Sequence, residues 1–206
     1  MIYEAISISL YVSILSTILG LLISIPMGIF LGVKNFYFKK IILSILTALT
    51  SIPPVCAGLI VYLMVSRTGP FGWMGILYTP TAMIIAQTLI IFPIMTTLIA
   101  RNISDDFPVF SDELYLYGAR LRDIAYLLIK NRISIYLTIS LIGFGRAISE
   151  YGAAAIVGGS IDHVTRNVTS TIALETSKGN LLIAINLGII LMTISFIISY
   201  LINLKK

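Results

Sequence analysis

Arg146 and Glu150 stand four residues apart inside an apolar run that extends from about 133 to 159. One helical turn separates them, so guanidinium and carboxylate share a helix face and can pair. Arg146 lies about thirteen residues into that run, ~20 Å of travel at 1.5 Å per residue. That is near a bilayer centre, where an ionised group costs at least ~2.5–3.5 kcal/mol and turns toward protein or water. Two roles stay open. Either the pair neutralises itself and pins helix packing, or Arg146 lends positive potential to an anion's route while Glu150 holds it in place. Ser149 and Gly152 belong to the same stretch and share both readings.

A second group of residues occupies a polar segment, 101–132, between two apolar runs. Ser111 is spaced to cap a helix, with Asp112 and Glu113 against its N-terminal dipole. The segment 111–131 predicts two short helices around Gly118, flanked by Ala119 and Arg120. Leu114, Tyr117, Leu121, Ile124 and Leu128 recur at three- and four-residue steps and form an apolar stripe. Such a stripe can lie on a membrane surface or seat in a groove of a soluble partner.

Other chemistries lack their residues. His163 is the single histidine and Cys56 the single cysteine, so histidine triads, cysteine clusters and disulfides within the chain have no basis. Cys56, beside Pro53-Pro54, reads as a packed, inert thiol. No phosphate-cradling GxxxxGK[ST] loop occurs, so the chain carries no nucleotide site of that kind.

The elements that position these residues follow from composition. Of 206 residues, 58% are hydrophobic and 11% charged, where a soluble domain carries about a quarter charged residues. No charged side chain occurs between Glu4 and Lys34, Lys40 and Arg67, Arg67 and Arg101, or Lys178 and Lys205. Each gap exceeds the roughly 20 residues that cross a hydrocarbon core. An all-α membrane protein is expected, a single transmembrane domain over 1–206. Its five spans are expected near 6–33, 41–66, 81–100, 133–159 and 181–203. The first span is too long, and lacks the basic start, of a cleaved signal peptide.

Orientation comes from the basic residues. Lys34, Lys39, Lys40, Arg101, Arg120, Arg122, Lys130, Arg132, Lys205 and Lys206 fall on one side. Arg67, Arg166 and Lys178 fall on the other. The positive-inside rule places the ten in the cytoplasm, the N-terminus outside and the C-terminus inside. Tyr3, Trp73 and Tyr78 then mark the outer interface and Phe36, Tyr37 and Phe38 the inner one. The basic residues form no single interleaved patch, which argues against a nucleic-acid partner. Pro26, Pro53, Pro54 and Pro93 are helix breakers of the kind packed helices around a pathway can absorb. Gly145, Ser149 and Ala153, and Ala154 and Gly158, repeat at four-residue spacing and would let helices approach closely.

The run Asp112-Glu113-Leu114-Tyr115-Leu116-Tyr117-Gly118-Ala119 resembles the EAA loop of ABC importer permeases, with Asp112 in place of the glutamate and Gly118 at the motif's glycine. Glu113 and Leu114 replace its two alanines, and Lys130 and Asn131 stand at its Leu-Pro ending. A second run, Gly145 to Ala153 with Val157-Gly158-Gly159-Ser160-Ile161 and the stretch 169–179, is similar to tungstate ABC permeases. Molybdate and sulfate permeases share the shorter R-x-x-x-E-x-G core. The resemblance implies a type I ABC importer permease fold that moves an oxyanion inward by alternating access, tungstate first and molybdate or sulfate as alternatives.

It also implies partners: a second copy of this chain, a nucleotide-binding subunit seated on Asp112, Glu113, Gly118, Ala119 and Arg120, and an extracytoplasmic substrate-binding protein docking on the outer loop 160–180. ATP and magnesium would be used by the partner ATPase, with no cofactor in this chain and no catalysis by it. In another class, an ATP-independent secondary transporter would need coupling-ion residues and usually an internal repeat, and five spans do not halve; a channel would show ATP-independent flux.

Overall fold

The computed structural model describes residues 2–116, 118 and 120–203, and no strand occurs among them. The helices are α1 (Ile2–Val33), α2 (Lys39–Leu49), α3 (Pro54–Val65), α4 (Pro80–Leu116), α5 (Leu121–Asn131), α6 (Ile133–Ile148), α7 (Gly152–Gly158), α8 (Val168–Ser177) and α9 (Leu181–Asn203). Among the described residues three helices are long and apolar enough to cross a membrane: Ile2–Val33, Pro80–Asp105 and Leu181–Tyr200. The bent pair α2–α3 makes a fourth if it is taken as one span.

The central pair is α1 against α4. Ser9, Ser13, Ser16, Gly20, Ser24, Gly28 and Gly32 are all buried and recur every three or four residues along α1. A Cβ on Gly28 would stand 2.6 Å from Ile99 and one on Gly32 2.5 Å from Ile103, so the two backbones lie close along much of their length. In lipid such association rests on van der Waals packing and interhelical hydrogen bonds. Ser16 donates to Gln87 Oε1 at 3.1 Å and Ser24 to the Phe92 carbonyl at 3.1 Å. Residue order rises together on both helices, from Ser16–Gln87 to Gly32–Ile103, so α1 and α4 run parallel.

That parallel pairing requires α2 and α3 to carry the chain back between them. Leu46 of α2 packs with Leu31 and Ala100 at one end, and Val61 and Val65 of α3 pack with Val12 and Met83 at the other. The α6–α7 segment also runs against α4: Gly143 lies on Met95 and Gly158 on Met83. α9 begins near the start of α1, with Leu187 packed on Ala5 and Val168. The exposed aromatics Tyr3 and Trp73 lie toward that end and Tyr37 and Phe38 toward the opposite one, the arrangement expected of two interfacial belts.

The helices depart from the expected spans in three places. Pro26 and Pro93 lie inside unbroken α1 and α4. Only the tandem Pro53-Pro54 breaks its span, bending α2 against α3 by 100°. Two adjacent residues without N–H donors, each also disfavouring a helical predecessor, end α2 and let Pro54 start α3. Second, 133–159 is interrupted after Ile148 and restarts at Gly152. Third, no helix starts at Ser111: α4 continues through it to Leu116, because a helix already running needs no new start there. Gly118, with φ +76°, then turns the chain into α5.

Candidate functional site

The two interrupted segments meet at their breaks. A Cβ on Gly58 would lie 2.6 Å from Ala153 Cα, and one on Gly152 2.6 Å from Val55 Cγ2. The first turns of α3 and α7 are thus packed backbone to backbone. Gly143 opposes Met95 and Gly158 opposes Met83, so the break at 149–151 falls between those levels, well inside the apolar stretch Pro80–Asp105. Irregular backbone at membrane depth is tolerated only where protein buries it or a water-filled cavity receives it.

Glu150 holds the second break together. Its Oε2 accepts from Arg146 Nη1 at 2.9 Å and its Oε1 accepts the Ala153 N–H at 3.1 Å, at the start of α7. Its backbone carbonyl accepts the Thr169 hydroxyl at 3.1 Å, which ties α8 to the same point. A carboxylate that takes an N–H group from the first turn of α7 competes with continuation of α6, and this is the physical reason for the interruption. The four-residue spacing of Arg146 and Glu150 therefore yields the ion pair, although Glu150 lies beyond the end of α6.

The pair is asymmetric in exposure. The Arg146 side chain is 35% exposed and that of Glu150 only 4%. The cation faces outward from the chain while its counter-charge is hidden behind it. Gly145, Ser149 and Tyr151 open to the same surroundings, and Ser149 bonds its own helix through the Gly145 carbonyl at 2.9 Å. The expected Gly145–Ser149–Ala153 face is consequently divided: nothing lies within 4 Å of a Cβ on Gly145, whereas Ala153 is buried against Gly58. Cys56 is exposed rather than packed, because α3 buries Ala57, Gly58, Val61 and Val65.

Near the first break, a cavity of about 580 Å³ is lined by Leu43, Ser44, Thr47, Ala48, Ser51, Thr97 and Arg101. At the far end of α3 a second, of about 560 Å³, is lined by residues that include Tyr62, Arg67 and Tyr78. The neighbouring Tyr62 hydroxyl raises the pKa of the Tyr78 phenol.

The 101–132 segment is only partly described. Asp112 and Glu113 lie in the last turns of α4, with side chains outside the described residues, as is the whole of Ala119. Arg120 starts α5, where its N–H donates to the Asp123 carboxylate at 3.0 Å. Ile124 and Leu128 do not face a membrane or a partner. They are buried with Ile99, Ile103 and Tyr136, leaving Asp123, Tyr126 and Lys130 exposed.

The outer stretch 160–180 is likewise packed more than expected. Thr165, Asn167, Ser170, Thr171 and Glu175 are all buried. Asp162 pairs with Arg166 at 2.9 Å and Glu175 with Lys178 at 2.8 Å. Val55 and Gly58 were not singled out by the sequence, and Thr169 only as part of the stretch 169–179. Their only signal is the tandem proline before Val55 and the small residue at 58. Among the described residues no group of histidine, cysteine and carboxylate side chains could hold a metal ion.

A tungstate uptake system permease protein, TupB, of Peptoclostridium acidaminophilum is 40% identical over 202 residues, covering 96% of this chain and 87% of that protein. The chain belongs to the tungstate-type ABC permease family. Another relative of this ABC permease is the TupB of Campylobacter jejuni, 32% identical over 84% of the chain and 72% of that protein. A probable anion ABC transporter permease of Haloferax volcanii is 34% identical over 91% of the chain and 83% of that protein. No family model matches the chain. The permease is a multi-pass protein of the cell membrane.

Proposed function

We propose that this permease forms one half of the pore of an ATP-driven importer for a tetrahedral oxyanion, tungstate in the first place. The observation that carries this reading is the partly exposed Arg146 backed by the hidden Glu150. An anion moving along this face meets a positive group, and the carboxylate that would repel it has both oxygens engaged elsewhere. The relatives named for tungstate, at 40% and 32% identity, support that anion over molybdate, whose named relatives are 22–24% identical.

The helices make five crossings: α1, α2–α3, α4, α6–α7 and α9, with the N-terminus outside and the C-terminus in the cytoplasm. Parallel α1 and α4 joined by a returning α2–α3 support this count. Two copies of the chain face each other across Arg146, Ser149 and Gly152, with Glu150 behind Arg146. A separate nucleotide-binding subunit, which uses ATP and magnesium, seats on the end of α4, the Gly118 turn and the exposed face of α5, contacting Asp112, Glu113, Gly118, Ala119 and Arg120. A substrate-binding protein delivers the anion to the outer loops. ATP binding draws the α4–α5 ends together, the breaks at Thr50–Pro53 and Ser149–Tyr151 act as hinges, and hydrolysis resets them.

Cells expressing the chain with its ATPase and binding protein test the proposal. Labelled tungstate should accumulate and should cease to do so when the ATPase is inactive. Removing residues 111–131 should abolish co-purification of the ATPase. Accumulation indifferent to the ATPase would refute the reading.

A further inference from the structure

The end of the molecule that bears Glu4, Arg67 and His163 has an uneven balance of charge. Each of its three acids has a partner: Glu4 contacts His163 at 3.0 Å, Asp162 pairs with Arg166, and Glu175 with Lys178. Arg67 is different. It is exposed, and it makes no hydrogen bond or ion pair among the described residues.

Arg67 lines a cavity of about 560 Å³ with Tyr62, Ser66, Thr68 and Tyr78, a volume in the range of small-ligand pockets, roughly 300–1,000 Å³. The polar side chains of this lining are one guanidinium and four hydroxyls, and no carboxylate is among them. The chain folds back tightly there. A Cβ on Gly69 would strike the Leu63 carbonyl and one on Gly72 the Ser66 carbonyl, so the loop after α3 is pinned to its helix with Arg67 between. The Tyr78 N–H donates to the Val157 carbonyl at 2.9 Å, which joins the far wall to the end of α7. The cavity therefore caps the same α3–α7 pair whose other end holds Arg146. α3 itself, 12 residues long, spans ~18 Å between the two arginines' levels at 1.5 Å per residue.

We infer that this cavity is a receiving site for a tetrahedral oxyanion, in which Arg67 supplies the charge and the hydroxyls of Thr68, Tyr62 and Tyr78 supply donors, while the Ser66 hydroxyl donates to the Leu63 carbonyl at 3.2 Å. The inference rests on the oxyanion-import reading and adds a site to it, outside the Arg146 region. An unpaired cation in a donor-lined recess raises the local concentration of anions, whereas a paired one does not. Arg67 and Arg146 then act in succession. The first gathers the anion at the mouth of α3 and α7, and the second meets it at their breaks.

The test uses the reconstituted importer carrying Cys56→Ser and Leu77→Cys, Leu77 being an apolar residue of the cavity wall, so that the only thiol in this chain reports on the cavity without replacing a donor. A negatively charged thiol reagent should react roughly tenfold faster than a positively charged one of equal size, and free tungstate should slow both. Arg67→Gln should remove the preference and the protection, and Arg67→Lys should retain them. Equal rates, or protection that survives Arg67→Gln, would overturn the inference. So would protection given by the binding protein and not by free tungstate, which would make Arg67 a docking residue. ATP-driven tungstate uptake in the same vesicles separates the two proposals. Uptake without protection overturns the site and leaves the import reading standing; protection without uptake does the reverse.

Discussion

Gly58 and Ala153 touch backbone to backbone: a Cβ on Gly58 would come within 2.6 Å of Ala153 Cα and 3.1 Å of its carbonyl oxygen. Both neighbouring atoms are main chain, so neither can rotate away. This contact locks the half-helix α3 to the half-helix α7 beside the two breaks. Gly58→Ala should force them apart at a cost of about 1–3 kcal/mol. A lowered thermal-unfolding midpoint of the detergent-solubilised protein is the expected result; an unchanged midpoint would show that the two helices are not tightly packed.

Removing one member of the ion pair should hurt more than removing both charges. Arg146→Gln leaves the Glu150 carboxylate, 4% exposed, without its cation, a loss of at least ~1–3 kcal/mol. The double variant Arg146→Gln with Glu150→Gln should recover much of that stability and still import poorly, since the positive charge on the route is gone. Thermal stability and tungstate uptake measured on both variants and the wild type separate the two roles. Normal uptake by either arginine variant would leave the pair with packing alone.

Gly118 turns α4 into α5 with φ +76°, and nothing lies within 4 Å of a Cβ placed there. Gly118→Ala therefore meets no clash, only the left-handed backbone penalty of roughly 1–2 kcal/mol. The turn should relax and misplace α5, so that ATPase activity becomes uncoupled from uptake while the subunits still assemble. Unaltered transport per ATP hydrolysed would remove the turn from the coupling path.

Glu175 is buried and accepts from Lys178 Nζ at 2.8 Å and from Asn180 Nδ2 at 2.7 Å. Those two donors, Lys178 first, hold its carboxyl below the ordinary carboxylate value despite burial. A depressed pKa means that the stabilisation is complete above the unfolded-state value and is lost as pH falls through the folded-state value. Glu175→Gln should thus lower the thermal midpoint at neutral pH, and the gap from wild type should close on acidification below the usual carboxylate range. A gap independent of pH would show that the carboxylate charge contributes nothing.

How far these features could be read from sequence differs from element to element. Charge-free stretches are set by the hydrocarbon core, so α9 falls on 181–203 as expected. The Arg146–Glu150 pair was legible because a four-residue spacing needs only local helix to bring the groups together. Pro53-Pro54 was legible as a breaker, whereas Pro26 and Pro93 resemble it in composition and break nothing, because long packed helices absorb a single missing donor. The interruption at 149–151 carries no proline. It arises from Ala153 N–H, Thr169 and Arg146 converging on one glutamate, and Thr169 lies 19 residues away in sequence. Ser111 misled for the opposite reason: a serine before two acids has the form of a helix start, but the register of α4 was already established upstream.

ATP-driven import of an oxyanion can be measured in reconstituted vesicles. The permease, its ATPase and its binding protein would be supplied with labelled tungstate, molybdate and sulfate in parallel, with ATP inside the compartment facing the ATPase. Tungstate should accumulate above the other two, and its accumulation should be abolished when ATP is withheld. Flux of any of these anions at an equal rate with and without ATP would contradict ATP-driven import.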